Sequence, residues 1–552
     1  MTEPRYHYWI IPRPGRFPRL WSDWLRPATV LLVTVLLVTG VTTAVPWLAG
    51  RLLCRDNLPS GDIYSSDDEC VGITDGSYAF GLPAGFEQVL GRIAEQNKDA
   101  ENLPCGEDRM PVKIGVLTTL THPNSGARAL HQLEGFAAGQ ARANQPGCSR
   151  PLVLWVGHTG KAEQEAEELA RRFREDPSIV AVVGFPLSSI NAAKAVNALG
   201  APVNENNQNE AHPVPMVAAT ITAEGFDRDG TRYATGCDEE TLFDQGIGHG
   251  YFFRVAYRIG SQVEELANYL GPDNRPTMIV TPIETSDPYT CITLNLLRAR
   301  YQHERPELPE VAFNADDEST VREMAKRVCR EQGDVTVFYI ARSRDLGRLL
   351  AYLAERYDAG FCTATITVVS TSDAARLRVP DSDPNLNNPR NDALQSSAFS
   401  DGRLRLVYTP LADPDVLRGE AGKGSEFAEL ETLFGEAGVD LSHLDDGWAI
   451  NAYDAVYTVV NAIDGLNVNK PVTRALVRGE IAGFSATGEQ TQLAGANGRI
   501  GFDNNGNRAG IPVTVRLCPL DRKNPNQTHT VTQIGPPGDR TPCPTPPTFA
   551  LR

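Results

Sequence analysis

A chain of 552 residues exceeds the usual span of one domain, and about three or four units is the expectation. Its net charge of −17 argues against a nucleic-acid partner, which needs basic surface. The charge is unevenly spread: residues 1–27 hold five Arg against Glu3 and Asp23, so the whole acidic excess lies beyond them.

That basic start precedes Ala28–Leu48, 21 residues without a charge, long enough to cross a bilayer as a helix. Arg5, Arg13, Arg16, Arg19 and Arg26 predict a cytoplasmic N-terminus, and Trp21, Trp24 and Trp47 suit the membrane interfaces. Two readings compete: a signal peptide cleaved near Thr42-Thr43-Ala44, and an uncleaved signal-anchor over 28–49. The length of the apolar run and of its leader favours the anchor, a single pass in the cell membrane with the bulk of the chain extracytoplasmic. Leu53 before Cys54 closes the lipoprotein route. All ten cysteines follow this segment, and an even number in an exported chain reads as disulfides. No C-x-x-C and no H-x-x-x-H occurs, which argues against a metal site. Nothing in the sequence asks for a cofactor.

Residues 50–109 read as a pre-domain with one helix, Phe86–Asn97, whose Phe86, Val89, Leu90 and Ile93 share a face. From Pro111 strands and helices alternate. Strands are expected at Val112–Leu117, Leu152–Gly157, Ser178–Gly184 and Met216–Thr220. Helices are expected up to about Asn144 and over Lys161–Glu175 and Ile190–Leu199. Such repetition makes a parallel sheet covered on both faces. Residues 221–250 interrupt the rhythm. A strand at Tyr251–Tyr257 opens a second series. Its helices are Ser261–Leu270, Pro288–Tyr301, Ser319–Glu331 and Arg344–Tyr357. Its strands are Thr277–Pro282, Val311–Asn314, Asp334–Ile340 and Ala364–Ser370. Residues 371–401 read as a polar loop, followed by a strand at Leu404–Tyr408. Helices follow at Ser425–Ala437 and Asp446–Ile463, and strands at Gly498–Asn507 and Ile511–Leu517. The tail 520–552 is Pro-rich and expected to be extended.

The segment Ser178–Val203 carries the chemistry. A β-branched run ends at Gly184-Phe185-Pro186, and Ser188 and Ser189 open a helix of small residues. In open α/β sheets ligands sit at the carboxyl ends of strands, and a helix N-terminus suits an anion such as a carboxylate. The competing reading of either serine is an N-cap.

Ordered along the chain, these stretches resemble the type 1 periplasmic-binding fold, the Leu/Ile/Val-type (branched-chain amino acid) substrate-binding proteins of ABC importers. The signs run over Pro111–Pro519. They are KIGVLTTL with Ser125-Gly126, AVVGFPLSS, PMVAAT, YFFRVAYR, MIVTP…DPY, DVTVFYIAR, INAYDAVYTVVNAI and GRIGFDNNGN. The resemblance implies a two-lobed α/β venus-flytrap of two doubly wound, mostly parallel sheets joined by three crossovers, preceded by the transmembrane helix. Lobe one would be 110–253 with 411–497, and lobe two 254–410 with 498–519. It implies a site of Ser125, Ser188, Ser189, Ala219 and Thr220 on lobe one, holding a carboxylate, with Tyr289 and Asp373 on lobe two. Tyr289 also reads as a packing residue, Asp373 as a cap, and Arg254, on a crossover strand, as structural. It further implies the pairs Cys54–Cys70, Cys105–Cys148, Cys237–Cys291, Cys329–Cys362 and Cys518–Cys543, although sequence leaves connectivity open.

Two functions follow from the resemblance: a tethered solute-binding protein serving an ABC permease, with an amino-acid-like ligand, and a receptor-like sensor acting through a signalling partner. An enzyme is not expected. Gly246-Ile247-Gly248-His249-Gly250 precedes a strand rather than following one, and Gly419–Ser425 lacks P-loop spacing.

Overall fold

The computed structural model describes Cys54 and residues 62–103, 110–148, 150–202, 211–244, 246–272, 276–302, 308–315, 317–381, 383–420, 425–467, 471–521 and 523–544. The expected cytoplasmic tail, membrane anchor and Cys105 lie outside these residues. Among the described residues no helix is long and apolar enough to cross a membrane.

Two compact units divide at Cys70/Val71. In the first, β1 (Ile63–Ser66) lies beside β2 (Glu69–Thr74), and Cys54 is bonded to Cys70. In the second, two sheets organise the chain. The first continues from Val71 in β2 through β3 (Val112–Thr118), β4 (Leu152–His158), β5 (Ile179–Gly184), β6 (Met216–Ala218) and β7 (Phe252–Arg254). Its order is β2-β4-β3-β5-β6-β7, parallel except for β2. The second contains β8 (Met278–Pro282), β9 (Glu310–Phe313), β10 (Val335–Tyr339), β11 (Ile366–Ser370) and β12 (Leu404–Tyr408). Beyond the small hairpin of β13 (Leu493–Gly495) and β14 (Gly498–Ile500), it takes in β15 (Val515–Asp521) and β16 (Asn524–Val531). Its order is β16-β15-β12-β11-β10-β8-β9.

The central strands β3, β5, β10 and β11 are buried along almost their whole length, as both-face coverage by helices requires. Helix Trp448–Gly465 returns to the first sheet and lies on helix Arg128–Ala143. Gly135 makes that approach feasible, since a Cβ there would fall 2.1 Å from the Ala449 carbonyl oxygen. The chain therefore passes between lobes three times, after β7, after β12 and before β15.

Several expectations change. Residues 71–100 are not a separate pre-domain. β2 pairs antiparallel with β4, and helix Ala84–Ala100 buries Val89, Leu90 and Ile93 against the first lobe. Asn97 secures it by donating to the Leu154 carbonyl at 2.8 Å and accepting from the Leu154 N–H at 2.8 Å. The polar loop 371–401 holds a 3₁₀ turn at Ser372–Arg378 and helices Pro384–Gln395 and Ser397–Ser400. Asp383, Pro384 and Ser396 give it cap and first-turn chemistry that composition alone disguises. The strand expected at Gly498–Asn507 shrinks to the β13–β14 hairpin. The tail is not simply extended: β16 pairs with β15, and Arg405 donates to the carbonyls of Gly535, Pro536 and Asp539.

Four of the implied disulfides are present, Cys54–Cys70, Cys237–Cys291, Cys329–Cys362 and Cys518–Cys543. Cys148 is also disulfide-bonded.

Candidate functional site

The carboxyl ends of both sheets' strands deliver polar side chains to one place. β5 turns at Gly184, where φ is +116° and a Cβ would meet the Leu117 oxygen at 2.3 Å. Only glycine fits that close approach, and it throws Phe185–Ser189 across the top of the sheet. β6 runs beside it into Ala219-Thr220. From the second sheet, β8 leads to Asp287-Pro288-Tyr289, β10 to Arg342-Ser343, and β11 to Thr371-Ser372-Asp373. Asp287 caps its helix by accepting from the Thr290 N–H, with Pro288 in the first turn.

These segments enclose a cavity of about 20 Å³ lined by Pro186, Leu187, Thr220, Thr222, Leu411 and Trp448 from one side and Tyr289, Arg342, Ser372 and Asp373 from the other. That is room for about one water molecule. The two sides are tied directly. Arg128 Nη1 donates to Asp373 Oδ1 at 2.6 Å, and its guanidinium lies 4.6 Å from the centre of the Trp448 ring. Arg342 Nη2 donates to the Ser188 carbonyl at 3.1 Å and to Asp287 Oδ1 at 2.8 Å, while stacking 4.2 Å over the Tyr289 ring. Arg376 donates to the carbonyls of Pro123 and Asn124.

The electrostatics follow from this packing. Burial by itself would raise the Asp373 carboxyl, but Arg128 and then Arg342 outweigh it and hold it below the usual carboxylate range. Burial, with the Arg342 charge next, lowers the His122 imidazole to about 4. Burial, followed by Asp373, raises the Tyr289 hydroxyl. Three buried polar atoms around the lobe contact have no hydrogen-bond partner: Ser125 Oγ, Arg342 Nε and Ser343 Oγ.

Of the residues singled out from sequence, Thr220, Tyr289 and Asp373 line the cavity together. The Thr220 hydroxyl donates to the Pro186 carbonyl at 2.8 Å, and the Tyr289 hydroxyl bonds to Thr371 Oγ1. Ser125 is fully buried with its hydroxyl unused. The other three are committed elsewhere. Ser188 Oγ accepts from the N–H groups of Thr222 and Ala223, both at 3.1 Å, and so fixes the chain leaving β6. Ser189 caps helix Ile190–Gly200 through the Ala192 N–H at 3.0 Å and donates to Glu163 Oε2. Ala219 spends its N–H on the Gly184 carbonyl and its carbonyl on Asn451. Arg254 is fully buried, donating to the Ala223 carbonyl at 2.6 Å. Sequence reasoning missed Arg128, Arg342, Asp287 and Trp448. Arg342 had a readable signal, a cation just beyond a buried strand.

Among the described residues no group of three His, Cys, Asp or Glu could hold a metal ion. The arrangement presents cations, carboxylates and hydroxyls to a space between two lobes, which is chemistry for holding a small polar molecule.

Comparison with solved structures decides the fold. A leucine/isoleucine/valine-binding protein candidate from Rhodopirellula baltica SH 1 superimposes with a TM-score of 0.51 at 12% identity, covering 77% of this chain and 97% of that one. The chain has the fold of the type 1 periplasmic binding proteins. An ABC transporter substrate-binding protein from Sphaerobacter thermophilus matches with a TM-score of 0.51 at 17% identity, covering 78% of this chain and all of the other (100%). A solute-binding protein of an ABC transporter from R. palustris, in complex with 4-hydroxybenzoate, gives 0.51 at 11% identity over 75% and 94%. These periplasmic-binding-fold neighbours are solute-binding proteins, not enzymes. No protein-family model matches the chain, and no curated protein matches it.

Proposed function

We propose that the chain is a membrane-tethered, extracytoplasmic solute-binding protein that captures a small polar ligand, an amino acid or related compound, by lobe closure and presents it to an ABC importer. The observation that carries this reading is the convergence of Thr220 and Thr222 with Tyr289, Arg342 and Asp373 on a single interlobe cavity. Small-molecule sites in hinged α/β proteins lie at such strand ends. Arg128 and Arg342 suit a carboxylate, and Asp373 suits an ammonium group. The unpartnered Ser125, Arg342 and Ser343 atoms add hydrogen-bonding capacity that the protein itself leaves unused. The cavity is far smaller than the roughly 300 Å³ of a small-molecule site, so ligand enters with the lobes parted. It then takes contacts that Asp373 and Asp287 now make with the two arginines. Tethering rests on the uncharged run Ala28–Leu48.

Thermal-shift screening of the purified chain against amino acids, amides and aromatic carboxylates, followed by calorimetry, tests the reading. Saturable binding that weakens on Thr220→Ala supports it, and no binding across the panel counts against it. A second reading is a ligand sensor that signals through a partner: Arg128–Asp373 and Arg376–Asn124 link the lobes directly, so a ligand that competes for them would change a lobe contact that a partner can read. Co-purification with permease subunits favours the importer role over the sensor.

A further inference from the structure

The segment between β6 and β7 belongs to the first lobe by its packing. Phe226 is fully buried against Phe243 and Phe252, with ring centres 5.6 and 6.1 Å away. Lys194, on helix Ile190–Gly200, pairs with Glu239 at 2.7 Å. Yet Cys237 of this segment is bonded to Cys291 in helix Pro288–Leu297 of the second lobe, two residues beyond cavity-lining Tyr289. One turn later Asn295 Nδ2 donates to the carbonyls of Tyr233 and Thr235, each at 2.9 Å. The second lobe holds this helix firmly, since Leu294 and Leu297 are part of its buried core.

We infer that Cys237–Cys291 is a covalent strap across the cleft that restricts how the lobes part. The proposal rests on the hinged-binding reading above and names a control on that same site. The bridge closes a ring over a sequence separation of 54 residues, and the first crossover lies inside that ring. The two Cα atoms are 5.7 Å apart. A disulfide tolerates up to about 6.8 Å, leaving slack on the order of 1 Å. One end is anchored to the first lobe by buried Phe226 and Phe243, the exposed Lys194–Glu239 pair adding little, and the other end by a core helix. A lobe rotation wide enough to admit a solute must therefore pivot with Cys237 and Cys291 held together. The cleft opens on the side away from the strap, and its opening is smaller than the three crossovers alone would permit.

Hydrogen–deuterium exchange of the full chain without ligand tests this, so it does not depend on knowing the solute. In a Cys237→Ser/Cys291→Ser variant, peptides covering 185–189, 341–345 and 371–378 should exchange about tenfold faster or more, because opening exposes them. Strands β5 and β10 should keep their protection. A Cys329→Ser/Cys362→Ser variant removes a bridge internal to the second lobe and should leave the cleft peptides unchanged. Equal exchange in wild type and the Cys237/Cys291 variant, or equal acceleration in both variants, overturns the strap. If the variant does not fold, partial phosphine reduction of wild type, with mass mapping of the opened bridge, makes the same comparison. A strap that passes while the solute screen finds nothing leaves the hinge assignment standing and removes only the ligand reading.

Discussion

Replacing Glu163 with Gln should stabilise the protein at alkaline pH and change little at pH 4. Glu163 is 2% exposed and accepts a hydrogen bond from Ser189. Burial raises its carboxyl from 4.5 to about 7, although the Ser189 hydroxyl and the Arg342 charge pull the other way. Between those two values the unfolded chain has released its proton and the folded chain has kept it. Stability contributed by the protonated carboxyl is therefore full below pH 4.5 and is lost as pH rises through 7. At about 1.4 kcal/mol per unit, the loss is about 3 kcal/mol. Glutamine keeps the acceptor and never ionises, so its variant lacks this loss. Urea unfolding of both proteins at pH 4.5, 6 and 8 measures the difference, which should grow from near zero to about 3 kcal/mol. Asp445 and Asp454, both raised to about 6 by burial, contribute equally to the two proteins and cancel. A difference that does not vary with pH would refute the reasoning.

Arg378 is buried among Asp413, Asp415 and Asp445, at 3.2, 2.8 and 3.3 Å. Arg378→Met should cost about 3–5 kcal/mol in the same assay, because three buried carboxylates lose the cation they all share. Gly135→Ala should cost about 1–3 kcal/mol, since its Cβ collides with the Ala449 backbone and forces two packed helices apart. A neutral result would place those helices farther apart than described. Ser189→Ala should cost about 1 kcal/mol of stability through the lost cap while leaving ligand affinity unchanged; a large affinity loss would return its hydroxyl to the cleft. Thr220→Ala should weaken binding of whichever solute the screen identifies by about 1 kcal/mol, read by calorimetry.

Much of the fold is written locally. The β-branched runs at Val112–Thr118, Ile179–Gly184 and Val335–Tyr339 can be little else than buried strands, and Asp287-Pro288 announces a helix start. The edges were harder to see. β2 gains strand character from β4, a partner distant in sequence, while β16 takes it from the neighbouring β15, because its own polar composition does not declare it. The site was legible as a region more than as a set of atoms. Ser188 and Ser189 occupy the expected strand–turn–helix, yet their hydroxyls turn to Thr222, Ala223 and Glu163. Thr222 and Ala223 become neighbours only once β5 and β6 pair, and Glu163 arrives from the connection after β4.

The sequence by itself determined the alternation of strands and helices, the glycine turn at Gly184 and the run of cysteines, because each depends on residues a few positions apart. Tertiary structure decided which side chains face the cleft, that Arg128 meets Asp373 across 245 positions, and that Cys237 joins one lobe to the other. Those contacts are set by sheet order and crossover geometry. A buried charge or thiol takes its role from the partner that the fold brings within reach, and no local pattern encodes that partner.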